Sequence, residues 1–547
     1  MLRSLLAGLC LSAALPAQVP ATDSRNTNVP HTDTHFTART YKTLGEWQER
    51  RAHLRKQILS AAGLLPMPPK TPLHPQISGR IENRTYSIEK VLLETLPGYY
   101  LGGNLYRPLG KPTPATGFPA VVSPHGHWSQ GRLENTDLAS IPARCINLAQ
   151  QGYVVFAYDM VGYNDTIQTP HEFQTNEYLL WDFGPYALQL WNSIRAVDFL
   201  ESLPEVNKQM IGATGASGGG TQTFSLAAVD DRIQFAAPVN MISLIMQGGA
   251  ICENAARLRF DTNNVEFASM FAPKPMIMVA ATGDWTKNTA TEEYPAVKAI
   301  YQLYGKPENV EMFFQDAPHN YNQAAREAVY TFFGSHVLGL TGPIKERAIR
   351  VEQPSNMLAL FNRKLPDNAL DFAGLFAEWK QIARDAAASV SDRGQMREML
   401  EYTLGSEWPA RVISETHGDT FVLSREGRGD RVTGRRAKDG AVVIDNTWSI
   451  DLFQRTGPTD TKMFLTFNRS DDANRVQDIL TALAWLNKPN LDLTCSGKAG
   501  VICTFAAAVS RQPVKLHAAI PDDSGDFFVP GIQRVGGLRT AKLLANQ

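Results

Sequence analysis

Residues 209–229, QMIGATGASGGGTQTFSLAAV, decide how the centre of the chain folds. An apolar run leads into the glycine-rich turn GASGG (215–219), and a stretch typical of a helix follows at once. The turn fits the pattern G-x-S-x-G, in which a serine stands at a sharp bend between a strand and a helix. The glycines let strand and helix approach closely because they carry no side chain. The sequence therefore predicts that Ser217 is held in a strained turn.

Similar short apolar runs lie on both sides of this stretch and alternate with helical patterns. Runs that are apolar on both faces indicate a parallel sheet covered by helices on each side. Before them, YSIEKVLLETLPGYYLGGNLYRP (86–108) predicts an antiparallel hairpin with turn signals at Pro97-Gly98 and Gly102-Gly103. We predict a leader and N-terminal helix over 18–74 and a doubly wound α/β domain over 75–344. The predicted strands are PAVVSPHG (119–126), YVVFAYD (153–159), QMIGATGAS (209–217), FAAPVN (235–240), PMIMVAATGD (275–284) and VEMFFQDAPH (310–319).

A serine hydroxyl needs a base to accept its proton, and that base needs a carboxylate to orient it. Asp284 ends one predicted strand and His319 closes the next, so the order serine, acid, histidine is met at strand ends. Glu253 and Asp316 remain alternatives for the carboxylate. The sequence predicts Ser217, Asp284 and His319 as a catalytic triad.

Hydrogen-bond donors for an oxyanion are expected beside the serine. One is the backbone N–H of Gly218, and the other comes from Gly126 or His127 in the loop His125-Gly126-His127-Trp128. The two histidines could instead form a metal pair. Without a nearby carboxylate cluster that signal is weak, so we predict no metal site.

At these residues the chain resembles the serine α/β-hydrolases, and more narrowly the acetyl xylan esterase-like and dienelactone hydrolase-like secreted enzymes of bacteria. The resemblance implies an α/β-hydrolase fold and a Ser-His-Asp esterase without metal or organic cofactor. Dienelactone hydrolases differ in using a cysteine nucleophile. Glucuronoyl esterases, a similar family, carry the pattern G-C-S-R-x-G-K at this turn. This chain has Gly218 in place of the arginine. The matching pieces, between residues 45 and 335, are PHGHW, WNSIRAVDFLESLPEV, TGASGGGTQT, CENAARLRF, ATGDWT and HNYN.

Candidate substrate-binding residues follow the strands that carry the predicted triad. Trp128 and Trp285 each come directly after such a strand end, where an aromatic ring could stack on a sugar. Glu253 is a further candidate, with a buried ion pair to Arg257 or Arg259 as its alternative role. Seven aromatic residues between 159 and 195 either line the cleft or anchor the core.

Residues 345–547 resemble a shortened repeat of the first domain. In that alignment DGAVVIDNTW matches FPAVVSPHGHW, KMFLTFNRSDDANR matches VVFAYDMVGYNDT, and LDLTCSGKAG matches IGATGASGGG. Gly497 then takes the place of Ser217, and Asn446 that of His125. The repeat stops before any strand that bears an acid or a histidine. We predict a truncated, degenerate and non-catalytic α/β-hydrolase-like unit.

Composition limits the class of partner. The chain has 547 residues and a formal net charge of -1, which excludes the strongly basic footprint of a nucleic-acid binder. Residues 1–17 read as a signal peptide that contains Cys10, and no later run is long enough for a membrane span. A secreted or periplasmic protein is expected, and its oligomeric state is not predicted.

Together these features predict a secreted carbohydrate esterase of the acetyl xylan type, acting on an acylated carbohydrate or a small ester. A serine peptidase or amidase, and a glucuronoyl or feruloyl esterase, are the alternatives. A non-catalytic binding protein is disfavoured because all three triad residue types are present in order.

Overall fold

The computed structural model of the chain describes residues 18–520, 523 and 525–545. Two sheets with helices packed against them make up this part of the chain. The predicted signal peptide and Cys10 lie outside the described residues. Within those residues, none of the helices combines the length and apolar character that crossing a bilayer requires.

The first sheet has nine strands in the spatial order β1-β2-β3-β5-β4-β6-β7-β8-β9. Strands β1, β2, β3 and β5 pair antiparallel, and all pairs from β5 through β4 to β9 are parallel. Their bounds are β1 (Gln76–Glu82), β2 (Tyr86–Leu96), β3 (Tyr99–Pro108), β4 (Phe118–Val122), β5 (Val154–Tyr158), β6 (Val206–Ala216), β7 (Ile233–Val239), β8 (Met276–Gly283) and β9 (Val310–Pro318).

Helices cover both faces of this sheet. Val154 and Phe156 of β5 belong to one buried cluster, whereas Val155 and Ala157 belong to another, because successive side chains of a strand point to opposite faces. The first nine helices are α1 (Ser24–Thr27), α2 (Leu44–Ala61), α3 (Ile141–Gln151), α4 (Asn176–Leu180), α5 (Pro185–Ser202), α6 (Gly218–Val229), α7 (Asn264–Ser269), α8 (Glu293–Leu303) and α9 (Gln323–Leu338). Helices α3 and α9 cover one face, and α2, α5, α6, α7 and α8 the other.

The doubly wound α/β prediction is confirmed. All six predicted apolar runs are strands, and β2 and β3 form the predicted hairpin around Pro97-Gly98. Gly102 and Gly103 were wrongly predicted as a turn, because both lie inside β3. A Cβ at Gly102 would meet the Asp165 side chain at 2.3 Å, so a close approach explains this glycine.

The second sheet has seven strands in the order β10-β11-β12-β14-β13-β15-β16. Position by position, this order repeats the first seven places of the first sheet. The strands are β10 (Val412–His417), β11 (Thr420–Arg425), β12 (Val432–Arg436), β13 (Val442–Ile444), β14 (Trp448–Asp451), β15 (Leu491–Cys495) and β16 (Val514–Ala518). The remaining helices are α10 (Pro354–Met357), α11 (Phe372–Ser389), α12 (Arg393–Leu404), α13 (Phe464–Phe467), α14 (Asp471–Leu486), α15 (Ala499–Val509) and α16 (Gly537–Ala545).

One strand of the second sheet runs in the opposite direction from its counterpart. β13 pairs antiparallel with both neighbours, whereas β4, in the same place, pairs parallel with both. A tight turn joins β13 to β14, with Asp445 and Asn446 at positive φ. So short a connection permits only an antiparallel pair, since a parallel crossover needs a dozen or more residues.

Part of the sequence alignment between the two units is therefore wrong. KMFLTFNRSDDANR was aligned with strand β5, but it contains α13 and the start of α14, and β14 takes the place of β5. Asn446 lies in the hairpin turn, so its position does not correspond to that of His125, with which it was aligned. Gly497, by contrast, lies two residues after the end of β15, close to the place that Ser217 takes after β6, and φ is 57° at both residues. A disulfide joins Cys495 and Cys503 across that turn.

The two units are connected by the N-terminal segment, residues 18–36. Arg25 forms an ion pair of 2.6 Å with Asp478 of α14. Thr32 bonds to both units, because its N–H donates to the Lys462 carbonyl and its own carbonyl accepts from the Gln247 N–H at 2.9 Å. The core of the first sheet extends to Ile382 of α11, past the predicted division at 344, and the second core begins at Met399.

A buried ion network holds the loops that follow β4 and β5. The fully buried Arg132 pairs with Asp159 and Asp165, and its Nε donates to Asn104 at 2.8 Å. Burial raises the pKa of Asp159 to about 6, although Arg132 acts to lower it. The Asp165 carboxylate also accepts the N–H groups of residues 359 and 360 at 2.8 Å, so the network ties the connecting segment to the sheet.

Replacing Arg132 by methionine is expected to lower the free energy of unfolding by about 3–5 kcal/mol, because two buried carboxylates lose their counter-charge. Urea denaturation monitored by tryptophan fluorescence measures the change. Arg411→Met is the matched control, since Arg411 is 67% exposed where it pairs with Glu426. That control is expected to cost at most about 1 kcal/mol. Equal effects for the two variants would contradict a structural role for the buried network.

Candidate active site

Three side chains predicted to act together stand at the carboxyl ends of β6, β8 and β9. Ser217 lies between β6 and α6 with φ 57° and ψ -127°, a conformation that is unusual for a residue with a Cβ. Asp284 directly follows β8, and His319 directly follows β9. Because parallel strands end at one edge of a sheet, these side chains are brought to the same side of the molecule.

Close packing around the turn accounts for its glycines. A Cβ at Gly215 would meet the Pro124 carbonyl at 2.5 Å, and one at Gly219 would meet the same oxygen at 2.6 Å. A Cβ at Gly126 would lie 2.7 Å from the Cβ of Ser217. The loop after β4 is therefore pressed directly against the serine.

His319 is oriented by Asp284. Its Nδ1 lies 2.8 Å from Oδ2 of Asp284, whose side chain is only 1% exposed. The other carboxylate oxygen accepts the Thr286 N–H at 2.7 Å. With Nδ1 protonated toward the carboxylate, Nε2 is left as the acceptor, and this buried atom has no hydrogen-bond partner in the described part of the chain.

The two alternative carboxylates are engaged elsewhere. Oδ1 of Asp316 accepts the Thr282 hydroxyl at 2.5 Å. Glu253 is buried, and its carboxylate accepts the Thr221 hydroxyl at 3.1 Å and the Gly249 N–H at 2.8 Å.

Glu253 does not form the ion pair considered as its alternative role. Arg257 pairs with Asp182 instead, and Arg259 donates to the backbone carbonyl of Glu253 at 2.9 Å. The Glu253 carboxylate thus holds its own loop against α6.

Two tryptophan rings enclose His319. The centroid of the Trp285 ring lies 4.5 Å from that of His319, and the Trp128 ring stacks on it at 6.1 Å. The Trp285 indole N–H donates to the Asn240 carbonyl at 2.8 Å, which holds the ring in place. Both predicted cleft tryptophans therefore lie beside the ring of the histidine.

The predicted oxyanion donors surround the turn. Gly218 is the first residue of α6, where backbone N–H groups have no partner within the helix. The ring of His127 lies against it, since a Cβ at Gly218 would be 3.0 Å from Cε1 and 3.3 Å from Nδ1 of His127. Gly126, His127 and Gly218 therefore form one wall beside Ser217.

His125 has a different environment from His127 and does not pair with it as a metal ligand. Its Nε2 accepts the Met160 N–H at 2.9 Å, and its Nδ1 lies 2.7 Å from the Gly126 carbonyl. The side chain is buried, and burial lowers the pKa of His125 to about 3. Neutral His125 thus holds the loop after β4 against the loop after β5.

The low pKa predicts acid destabilisation. Between pH 6.5 and about 3 the unfolded chain protonates His125 while the folded chain does not, so stability falls as the pH decreases. At pH 4.5 this contribution is about 2–3 kcal/mol relative to pH 8. Urea unfolding of His125→Gln is expected to show a shallower loss of stability over this range than the unmodified chain. Parallel pH dependences for the two proteins would contradict this role.

The structure also brings two residues to this edge that the sequence did not single out as site residues. His171, from the loop after β5, has its ring centroid 5.0 Å from that of His127. Cys252, which follows β7, places its Sγ 3.0 Å from Nε2 of His127. No sequence motif contains both residues. Their proximity could have been predicted only from the fact that each follows a strand that ends at this edge of the sheet.

A cavity of about 770 Å³ lies beside the site, between the two units. Residues of the first unit, including Tyr186 and Asn254, line one side of it, and residues of the second, including Phe464 and Arg475, line the other. Neither Ser217 nor His319 belongs to its lining. The hydrogen-bonded His319, rather than this cavity, therefore marks the candidate active site.

The chain is similar to several known proteins. The family described as "BAAT / Acyl-CoA thioester hydrolase C terminal" matches residues 194–301, which include Ser217 and Asp284. YtaP of Bacillus subtilis (strain 168), which is named as a hydrolase, is 30% identical over 197 residues, or 34% of this chain and 62% of YtaP. Among solved structures, Methylesterase BT1017 is similar with a TM-score of 0.52 and 27% identity, over 66% of this chain and 77% of that protein.

Proposed function

We propose that the chain is a serine carboxylic-ester hydrolase of the α/β-hydrolase superfamily, with Ser217 as nucleophile; similarity to the acyl-CoA thioester hydrolase family model and to Methylesterase BT1017 supports this. The observation that carries the proposal is the Asp284–His319 pair, whose free Nε2 stands at the same sheet edge as the strained serine turn. A carboxylate, an imidazole and a hydroxyl in this order are the groups that acyl transfer needs.

In the proposed mechanism, Ser217 attacks the ester carbonyl while Nε2 of His319 accepts the hydroxyl proton. Asp284 keeps the imidazole in the right tautomer and stabilises its charged form. The N–H of Gly218 and a donor from residues 126–127 hold the developing oxyanion. His319 then returns the proton to the leaving alcohol. In the second half of the reaction, water attacks the acyl group on Ser217, His319 accepts the proton of that water, and the proton then passes to the serine oxygen as the acid product leaves.

We further propose that the ester belongs to a carbohydrate. Support comes from Trp128 and Trp285, whose rings border His319 where a sugar could stack, and from the near-neutral net charge. Acetyl esters of a xylan-type polysaccharide are the first candidate. Methyl esters of sugar acids are the second, because similarity to Methylesterase BT1017 favours them.

A substrate panel tests both proposals. The purified protein is assayed on acetylated xylan, a methyl-esterified polyuronide, a glucuronoate methyl ester, a feruloyl ester and small acetyl esters, with aminoacyl amides as the amidase control. A preference for one carbohydrate ester of at least tenfold in kcat/KM is expected. Faster turnover of the amides would refute the esterase assignment, and equal weak activity on all esters would refute the carbohydrate assignment.

Export of the protein is also proposed, with residues 1–17 removed. The disulfide between Cys495 and Cys503 supports it, because such bonds persist in oxidising compartments. N-terminal sequencing of protein from the periplasm or culture medium is expected to begin near residue 18. Recovery of the uncleaved chain from the cytoplasm would contradict export.

A further inference from the structure

Three potential metal ligands converge beside the proposed oxyanion site. His127, His171 and Cys252 come from the loops after β4, β5 and β7, and their ligand atoms all lie within 4.8 Å of one another. Nothing in the proposed ester hydrolysis uses His171 or Cys252. Two imidazoles and a thiol form a donor set that suits zinc.

His171 is oriented as metal-binding histidines usually are. Its Nδ1 lies 2.6 Å from the Val161 carbonyl, so this nitrogen carries the proton and donates it. The lone pair is then on Nε2, which is buried and has no hydrogen-bond partner among the described residues. Histidines that bind zinc commonly donate one ring N–H to a backbone carbonyl in this way and coordinate the metal through the other nitrogen.

We propose that His127, His171 and Cys252 bind one zinc ion, with a fourth position open to solvent or substrate. In a tetrahedral site, bonds of about 2.0 Å to nitrogen and 2.3 Å to sulfur place the ligand atoms about 3.3–3.6 Å apart. Nε2 of His127 and Sγ of Cys252 lie 3.0 Å apart, so these two atoms would separate by about 0.5 Å when the ion binds. His127 is exposed at the surface, so the ion has a route of entry.

The zinc ion would act on catalysis through the tautomer of His127, a consequence that rests on the proposed function. Coordination by Nε2 keeps the ring proton on Nδ1, the atom that faces Gly218. A metal-bound imidazole is a stronger donor, and this donor would point into the wall that holds the oxyanion. His127 is then itself the candidate donor, and the zinc ion acts by fixing its tautomer.

Metal binding by the full-length chain tests the proposal without any substrate. Protein stripped with a chelator is titrated with ZnCl2 by isothermal calorimetry, and one ion per chain is expected. With CoCl2 in place of zinc, a near-ultraviolet sulfur-to-cobalt band and a tetrahedral visible spectrum are expected. Cys252→Ser should abolish the near-ultraviolet band, and His171→Gln should weaken zinc binding by more than about 100-fold, since even outer-shell changes cost 10–100-fold.

Cys145→Ser is the matched control, because Cys145 is the other free buried cysteine in the described residues and lies on α3, away from the cluster. It should bind zinc as the unmodified chain does. Circular dichroism checks that each variant folds. If Cys252→Ser does not fold, His171→Gln still tests the site. The proposed site would be overturned if zinc does not bind stoichiometrically, or if neither variant weakens its binding. The contact between Cys252 and His127 would then be a hydrogen bond from the thiol and nothing more. Neither result depends on whether the protein hydrolyses esters.

Discussion

Replacing Ser217 by alanine is expected to lower kcat on the preferred ester by about 10⁴–10⁶-fold with little change in KM. The methyl group cannot attack the carbonyl, so the covalent route is lost while the oxyanion donors and the cleft remain. Alanine also has a Cβ, so the left-handed turn at φ 57° keeps its geometry and its strain. The loss should therefore be chemical rather than structural.

Steady-state kinetics and a serine-reactive phosphonate probe measure this effect. The unmodified chain should incorporate one equivalent of probe, and Ser217→Ala none. Ser496→Ala is the matched control, because Ser496 adjoins Gly497 in the corresponding turn of the second unit. Full labelling of Ser217→Ala, or loss of labelling in Ser496→Ala, would exclude Ser217 as the nucleophile.

Asp284→Asn is expected to reduce kcat by about 10⁴-fold. The asparagine amide would donate to Nδ1 of His319, which lies 2.8 Å from the present carboxylate oxygen. The ring proton would then move to Nε2, and that atom could no longer accept the proton of Ser217. Because the side chain is 1% exposed and the new amide is nearly isosteric, the fold should be retained.

The pH dependence of kcat separates this effect from simple misfolding. A variant with the wrong tautomer should recover part of its activity at high pH, where hydroxide replaces the base. Asp316→Asn is the control, since Asp316 bonds to Thr282 rather than to His319. A larger loss for Asp316→Asn than for Asp284→Asn would reverse the assignment of the acid.

Continuous apolar runs made the first sheet predictable from sequence. A strand such as β4, buried at every residue, leaves an unbroken hydrophobic signature, and the turn at Ser217 leaves a glycine signature because its neighbours would clash otherwise. The order of serine, aspartate and histidine could be inferred because each follows a strand with an apolar run, although β9, the strand before His319, is mostly half-buried or exposed.

Features set by tertiary packing were not predictable in this way. The convergence of His171 and Cys252 on His127 depends on which strands are neighbours, and Cys252 is 125 residues from His127 along the chain. The reversal of β13 depends on a turn with Asp445 and Asn446 at positive φ, two residue types that tolerate this conformation. Similarity between apolar segments could not reveal that the chain had replaced a crossover helix with a hairpin.

The N-terminal segment has a consequence for the order of folding. Arg25 and its partner Asp478 are 453 residues apart in the sequence, so the segment can bind there only when the second unit has formed. Contacts of such long range slow folding and are made late. Thr32 of the same segment bonds to Gln247, in the loop that leads to Cys252. The loop that leads to Cys252 would therefore gain its contact with Thr32 only after the segment has docked on both units, which makes completion of the site a late step of folding.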